Sequence, residues 1–200
     1  MADSVGHLYR GASNDRGMDE NSLTFRYADH PPVRELIQVV TECVESVSLG
    51  FDRWETPHVQ GPGLYIVVVA GTSIREYADP MGSNRWPVET CEVVDDEALF
   101  EAARTVALDH DGAVVVTVDG TIHEQMVRLK DAPGADRDEE ITYADWMGAR
   151  HMSALETSLR DEVVVAITLS GETGRVTRFE DGEYTTYRRE ELGSKWGEED

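Results

Sequence analysis

Leu64-Tyr65-Ile66-Val67-Val68-Val69 is a run of six apolar residues between Gly61-Pro62-Gly63 and Gly71. So short a run, rich in β-branched residues and bounded by turn formers, reads as a buried strand. Working outward, Pro31 and Pro32 open a helix whose apolar stripe is Val33, Leu36, Ile37, Val40, Val44 and Val47, closed by Gly50. On the other side, residues 87–94 form a weaker strand candidate. Asp95 then caps a helix with Leu99, Ala102, Ala103 and Val106 on its inner face. Two more apolar runs follow, Ala113 to Val118 and Val163 to Leu169. Asp119-Gly120 and Asp181-Gly182 are hairpin signals, the first between Ala113–Val118 and a strand from Thr121 to about Leu129, the second between 175–180 and 183–187. A helix is expected over 149–159. The order predicts a single α/β domain with a central mixed β-sheet flanked by helices, over residues 29–191. Residues 1–28 lack a sustained period and are expected to be mobile, and 192–200 to be an acidic tail.

Composition narrows the function. Asp plus Glu number 40 against 18 Lys plus Arg, a formal net charge of -22, which repels nucleic acid and anionic lipid. Lys130 and Lys195 are the only lysines. An acidic, lysine-poor surface suits concentrated salt, where self-repulsion is screened. No apolar stretch reaches membrane-spanning length and no signal peptide opens the chain, so a cytoplasmic location without a membrane partner is expected. Cys43 and Cys91 suit a reducing compartment.

Three short stretches could carry chemistry. Asp111-Gly112-Ala113 puts a carboxylate and little side-chain bulk at the entry of a strand, with His110 beside it as a possible partner around a cation. Gly148-Ala149-Arg150-His151 opens a helix, where amide N–H groups, the helix dipole and a guanidinium can converge on a phosphate. Ser153 could add a hydroxyl. Ser170-Gly171-Glu172-Thr173-Gly174 follows a strand and offers a second carboxylate and two hydroxyls. Each has an ordinary alternative: solvated turn acids, an arginine paired with one of many carboxylates and a packed histidine, and a plain turn. Trp146 lies close enough in sequence to line a base pocket. His58 and His123 have no metal-ligand spacing, and the chain has neither a Walker loop nor a dinucleotide fingerprint.

Taken together, these stretches resemble the motifs of the diadenylate cyclase (DAC, DisA_N) domain family: Asp-Gly-Ala, Gly-Thr-Arg-His-Arg and Ser-Glu-Glu-Thr-Gly. The resemblance runs roughly from residue 31 to 190, and the acidic composition makes the chain similar to a haloarchaeal member. It implies condensation of two ATP molecules into cyclic di-AMP with release of two pyrophosphates, at a homodimer or higher homo-oligomer in which two ATP-loaded faces meet. It further implies that Asp111, with His110 and Glu172, binds Mg²⁺ or Mn²⁺, that Asp111 helps activate the 3′-OH, and that Arg150 and His151 act in catalysis. Gly148, Ala149, Arg150, His151, Ser153, Ser170 and Thr173 would contact the nucleotide, while Gly112 and Ala113 let it approach. The chain departs from the motifs at Ala149 (usually threonine), Met152 (usually the second arginine) and Gly171 (usually the first glutamate). These departures leave open a nucleotide or cyclic di-AMP binder that has lost the reaction.

Overall fold

The computed structural model describes residues 7–9, 26–71, 74, 78–87, 92–93, 96–130 and 141–192. The main sheet is built from β1 (His7–Tyr9), β2 (Leu64–Val69), β4 (Val114–Thr117), β6 (Val163–Leu169), β7 (Val176–Glu180) and β8 (Glu183–Tyr187). A two-stranded ribbon joins β3 (Ala78–Arg85) to β5 (Gln125–Leu129), and the helices are α1 (Pro31–Leu49), α2 (Asp96–Asp109), α3 (Ala149–Ser158) and the short α4 (Arg189–Leu192). The sheet order is β1-β8-β7-β6-β2-β4; among the described residues only β2 and β4 pair in parallel. This is the mixed sheet flanked by helices that the sequence predicts.

Alternation along β2 explains its unbroken apolar run. Leu64, Ile66 and Val68 face one core with α1 and α2, whereas Tyr65, Val67 and Val69 face another with α3 and the ribbon. All six are buried, because both faces of the strand are covered. The six stripe residues expected on α1 are buried, as are Leu99, Ala102, Ala103 and Val106 on α2. Gly50 donates its N–H to the Ser46 carbonyl with an ordinary right-handed backbone (φ -72°), so α1 ends without a left-handed cap. On α3, Ala154 and Leu155 are buried, but Leu159 stands exposed just beyond its last turn.

Three local expectations shift. The strand before α2 lies at 78–85 instead of 87–94, where Glu92 forms a lone bridge to Thr121. Pro80 and Gly82 hide β3 from a pattern reading, but one-sided pairing with β5 tolerates a proline. The remaining residues of that candidate, 88–91 and 94, and the expected cap Asp95 lie outside the described residues. Second, the chain does reverse at Asp119-Gly120, where Gly120 has φ +89° and the Asp119 carboxylate accepts from the Thr121 N–H and the Thr117 hydroxyl. The returning segment forms isolated bridges at Ile122 and Val127, opposite Val116 and Ala113, so the four residues 113–116 stand opposite the six residues 122–127, and β5 pairs with β3. Third, within the segment read as mobile, His7–Tyr9 pairs antiparallel with β8 at the sheet edge; residues 10–25 are outside the described residues. The second hairpin turns at Asp181-Gly182, both with positive φ, as two-residue hairpin loops require. Among the described residues no helix is long and apolar enough to cross a membrane.

Candidate functional site

The mixed sheet brings the three stretches together. Parallel β2 and β4 enter the sheet at the same end, and antiparallel β6 leaves there, since Leu64 pairs with Leu169 and Ile66 with Val114. The entry of β4, unfavourable for a ligand in an all-parallel sheet, is here also the exit of β6. Gly61-Pro62-Gly63, Asp111-Gly112 and Ser170–Gly174 thus border one strand-end edge, and the first turn of α3 lies against it.

Arg150 joins these pieces. Its Nη1 donates to the Leu169 carbonyl at 3.3 Å, and its Nη2 lies 3.8 Å from Asp111 Oδ1. The guanidinium rests on Gly63, where an added Cβ would come within 2.5 Å of Nη1. Gly63 and its neighbour Gly61 are site residues that the sequence shows only as strand punctuation. Gly61 donates to the Gly171 carbonyl at 2.9 Å, and a Cβ on Gly171 would sit 3.0 Å from the Gly61 oxygen. Glycine at 171, one of the departures from the family motif, thus sits in tight contact with the Gly61 backbone, which a side chain there would have to push aside by a few tenths of an ångström.

Asp111 presents an exposed carboxylate. Its side chain is 76% accessible, and its Oδ1 also accepts the Gly112 N–H at 3.0 Å. Asn84 on β3, a residue the sequence gives no reason to single out, donates to the Asp111 carbonyl at 2.7 Å. Gly112 has φ +111°, and a Cβ there would meet the Val127 carbonyl at 3.1 Å. The close approach that makes glycine necessary is thus by the ribbon. Ala113 is buried in the α3-side core, with both backbone groups bonded to Val127.

The helix start is open. Gly148 is the N-cap of α3 with no side-chain cap, and both Gly148 and Ala149 are exposed. His151 and Met152 donate to the Gly148 carbonyl, while the N–H groups of Ala149 and Arg150 precede any intrahelical acceptor. His151 turns the other way. Its ring is 6% exposed, edge-on to Trp146 at 5.1 Å and tilted against Phe179 at 6.4 Å, and its buried Nε2 has no hydrogen-bond partner. Burial, reinforced by Arg150 and Arg175, pushes its pKa down to about 4. The imidazole expected at the phosphates is neutral and packed in the core, which is the ordinary alternative noted for it. Trp146 also carries the Arg175 guanidinium over its ring at 4.4 Å.

Ser153 stands beside the buried Tyr65 phenol, whose pKa burial raises against the opposing influence of the Thr157 and Ser153 hydroxyls. Ser170 Oγ accepts the N–H groups of Glu172 and Thr173 at 3.4 and 3.3 Å, which closes the turn and leaves its own proton to donate. Thr173 Oγ1 accepts from the Arg175 N–H, and the Glu172 side chain is exposed. Among the described residues no three His, Cys, Asp or Glu side chains gather as a metal site. His110, Asp111 and Glu172 of one chain are therefore not a preformed ligand set. Asp111 alone, exposed and engaged through Oδ1 by a long ion pair and the Gly112 N–H, fits a cation whose other ligands come from phosphates and water, the usual manner for Mg²⁺.

Comparison with known proteins places the chain in a family. A family model described as "DAC: DisA bacterial checkpoint controller nucleotide-binding" matches residues 63–184. A Bacillus cereus protein described as a hypothetical membrane spanning protein shares the fold, with TM-score 0.51 and 18% identity over 76% of this chain. The alignment covers 63% of that protein, so the chain spans less than two thirds of its length. DacA from Staphylococcus aureus, solved as a double cysteine variant, gives TM-score 0.48 and 21% identity over 82% of this chain and 95% of that one. No curated protein matches. The family match covers more than half of the chain and contains all three motif stretches, so the chain belongs to the DAC family of DisA-type nucleotide-binding domains.

Proposed function

We propose that this protein is a diadenylate cyclase, condensing two ATP into cyclic di-AMP where two copies meet face to face. The observation that carries the reading is the meeting of Asp111 and Arg150 at one strand-end edge beside an uncapped helix start. Arg150 and the first N–H groups of α3 hold the triphosphate by charge-assisted hydrogen bonds. Arg150 is anchored on the Leu169 carbonyl, so the bound phosphate inherits a fixed position relative to β2 and β6. Asp111, fixed through its carbonyl by Asn84, faces the 3′-OH brought by the partner copy. That oxygen attacks the α-phosphorus, its proton leaves, and the bond to the pyrophosphate oxygen breaks. The same exchange in the opposite sense closes the ring and releases the second pyrophosphate. Asp111, together with the phosphates, would hold Mg²⁺ or Mn²⁺, which when bound would supply charge neutralisation and a lowered hydroxyl pKa. Glu172 could add its carboxylate from the facing copy. Positioning and charge neutralisation account for most of such catalysis.

The unit doing this work is residues 29–191. ATP as substrate places it in the cytoplasm, and the acidic surplus suits a cell interior rich in salt.

A second reading, a nucleotide or cyclic di-AMP binder without turnover, draws on Met152. The residue in place of the second motif arginine packs against the α3-side core and brings no charge. Incubation with ATP and Mn²⁺ or Mg²⁺ over a range of salt, with products resolved by chromatography, separates the two. Cyclic di-AMP is the expected product. Tight ATP binding with no product under any condition would establish the binder.

A further inference from the structure

Among so many carboxylates, a half-buried cation with none in direct contact calls for an explanation. Arg175 is such a residue: partly buried, it makes no ion pair within 4 Å of a described residue, Glu190, Glu191 and Arg188 act on it only from farther off, and its guanidinium lies 4.4 Å from the centre of the Trp146 ring. Its place in the sheet relates it to Arg150. Val176 pairs with Leu169, and the Arg175 carbonyl accepts the Ser170 N–H at 2.9 Å, so Arg175 stands opposite the strand exit that Arg150 grips from the other side. Strands lie about 4.8 Å apart, so Asp111 before β4, Arg150 over the ends of β2 and β6, and Arg175 just before β7 form a row along one edge. Trp146 and the α3-side core put both arginines on the same face of the sheet. They are close enough that both charges depress the titration of His151 between them.

We propose that Arg175 is a second phosphate-binding cation, held ready on Trp146 to take the outer phosphates of the nucleotide while Arg150 takes those nearer Asp111. The proposal rests on the reading of this edge as an ATP site and adds a direction to it: the α-phosphate lies toward Asp111 and the leaving pyrophosphate toward the β6–β7 turn. Stacking on an indole keeps the planar guanidinium desolvated and oriented, so little order is lost when a phosphate arrives. Arg175 also supplies, from another part of the chain, the positive charge that Met152 lacks.

Calorimetric titration of the full chain with ATP (in EDTA, to prevent turnover), inorganic pyrophosphate and AMP tests this. In Arg175→Gln, binding of ATP and pyrophosphate should weaken about ten-fold or more, the worth of a charge-assisted contact, with AMP affinity unchanged. Arg175→Lys should recover part of the loss, since it restores charge but not the planar fork. Equal weakening of all three ligands, or of none, would overturn the proposal and leave Arg175 as a packing partner of Trp146. If Arg175→Gln does not fold, the Arg175→Lys titrations decide alone, the same selective loss being required. A wild-type chain that binds ATP normally while Arg175→Gln is silent sinks only this role; one that binds no nucleotide sinks the ATP site itself.

Discussion

The guanidinium of Arg150 reaches from the first turn of α3 to within 3.8 Å of the Asp111 carboxylate, across the end of β2, with its other nitrogen on the Leu169 carbonyl. At 3.8 Å, with the acid 76% exposed, this ion pair is worth little to stability. Its weight is geometric: it sets a guanidinium and a carboxylate a few ångströms apart.

Asp111→Asn should therefore leave folding nearly untouched and remove function. The thermal midpoint should move by no more than a few degrees, as for exposed substitutions. Cyclic di-AMP formation should fall by about a hundred-fold or more, the scale of losing a group that acts in the transition state. A variant with parallel losses in melting temperature and turnover would give Asp111 a structural role instead.

Arg150→Lys tests the fork. A single ammonium cannot grip the Leu169 carbonyl and a phosphate in the same plane. ATP affinity should drop about ten-fold, with the melting temperature nearly constant. Calorimetry with and without the substitution checks this.

Two glycines next to the site should behave differently. An alanine methyl at Gly112 meets the Val127 carbonyl at 3.1 Å and must adopt φ +111°, so Gly112→Ala should destabilise the fold by about 1–3 kcal/mol. The methyl at Gly63 meets the mobile end of Arg150. Gly63→Ala should therefore melt close to wild type and bind ATP more weakly. Urea unfolding and calorimetry on the two variants separate strain from displacement.

How much of this was legible in the chain depends on what each residue touches. Leu64–Val69 and Val163–Leu169 announce themselves because burial on both faces demands apolar residues throughout. β3 does not, because a ribbon strand with Pro80 and Gly82 is held by backbone pairing to β5. At the edge where they meet, Asp111 and Arg150 stand out by motif, whereas a strand entry gave no positional reason to expect a site at Asp111. The place of His151 was not readable, since a histidine in a helix's first turn reads the same whether its ring faces phosphate or core; only the packing of Trp146 and Phe179 decides. Gly63 and Asn84 act through contacts with residues 87 and 27 positions away, and no local pattern encodes those.

The buried ring of His151 makes stability depend on pH in a stated direction. Its pKa falls from 6.5 to about 4 on folding, chiefly through burial. The unfolded chain then takes up a proton between about pH 6.5 and 4 that the folded chain refuses, and stability falls as pH drops through that window. For a ring 6% exposed the loss amounts to about 3 kcal/mol by the bottom of the window. The many carboxylates titrate at the lower end as well, so the diagnostic is a difference between variants. In His151→Leu, whose side chain cannot take the proton, urea-derived stability should lose this slope between pH 6.5 and 5, where most acids are still ionised. Equal slopes for the two chains would mean that the imidazole is solvated, and that it turns out of the core toward the phosphate edge.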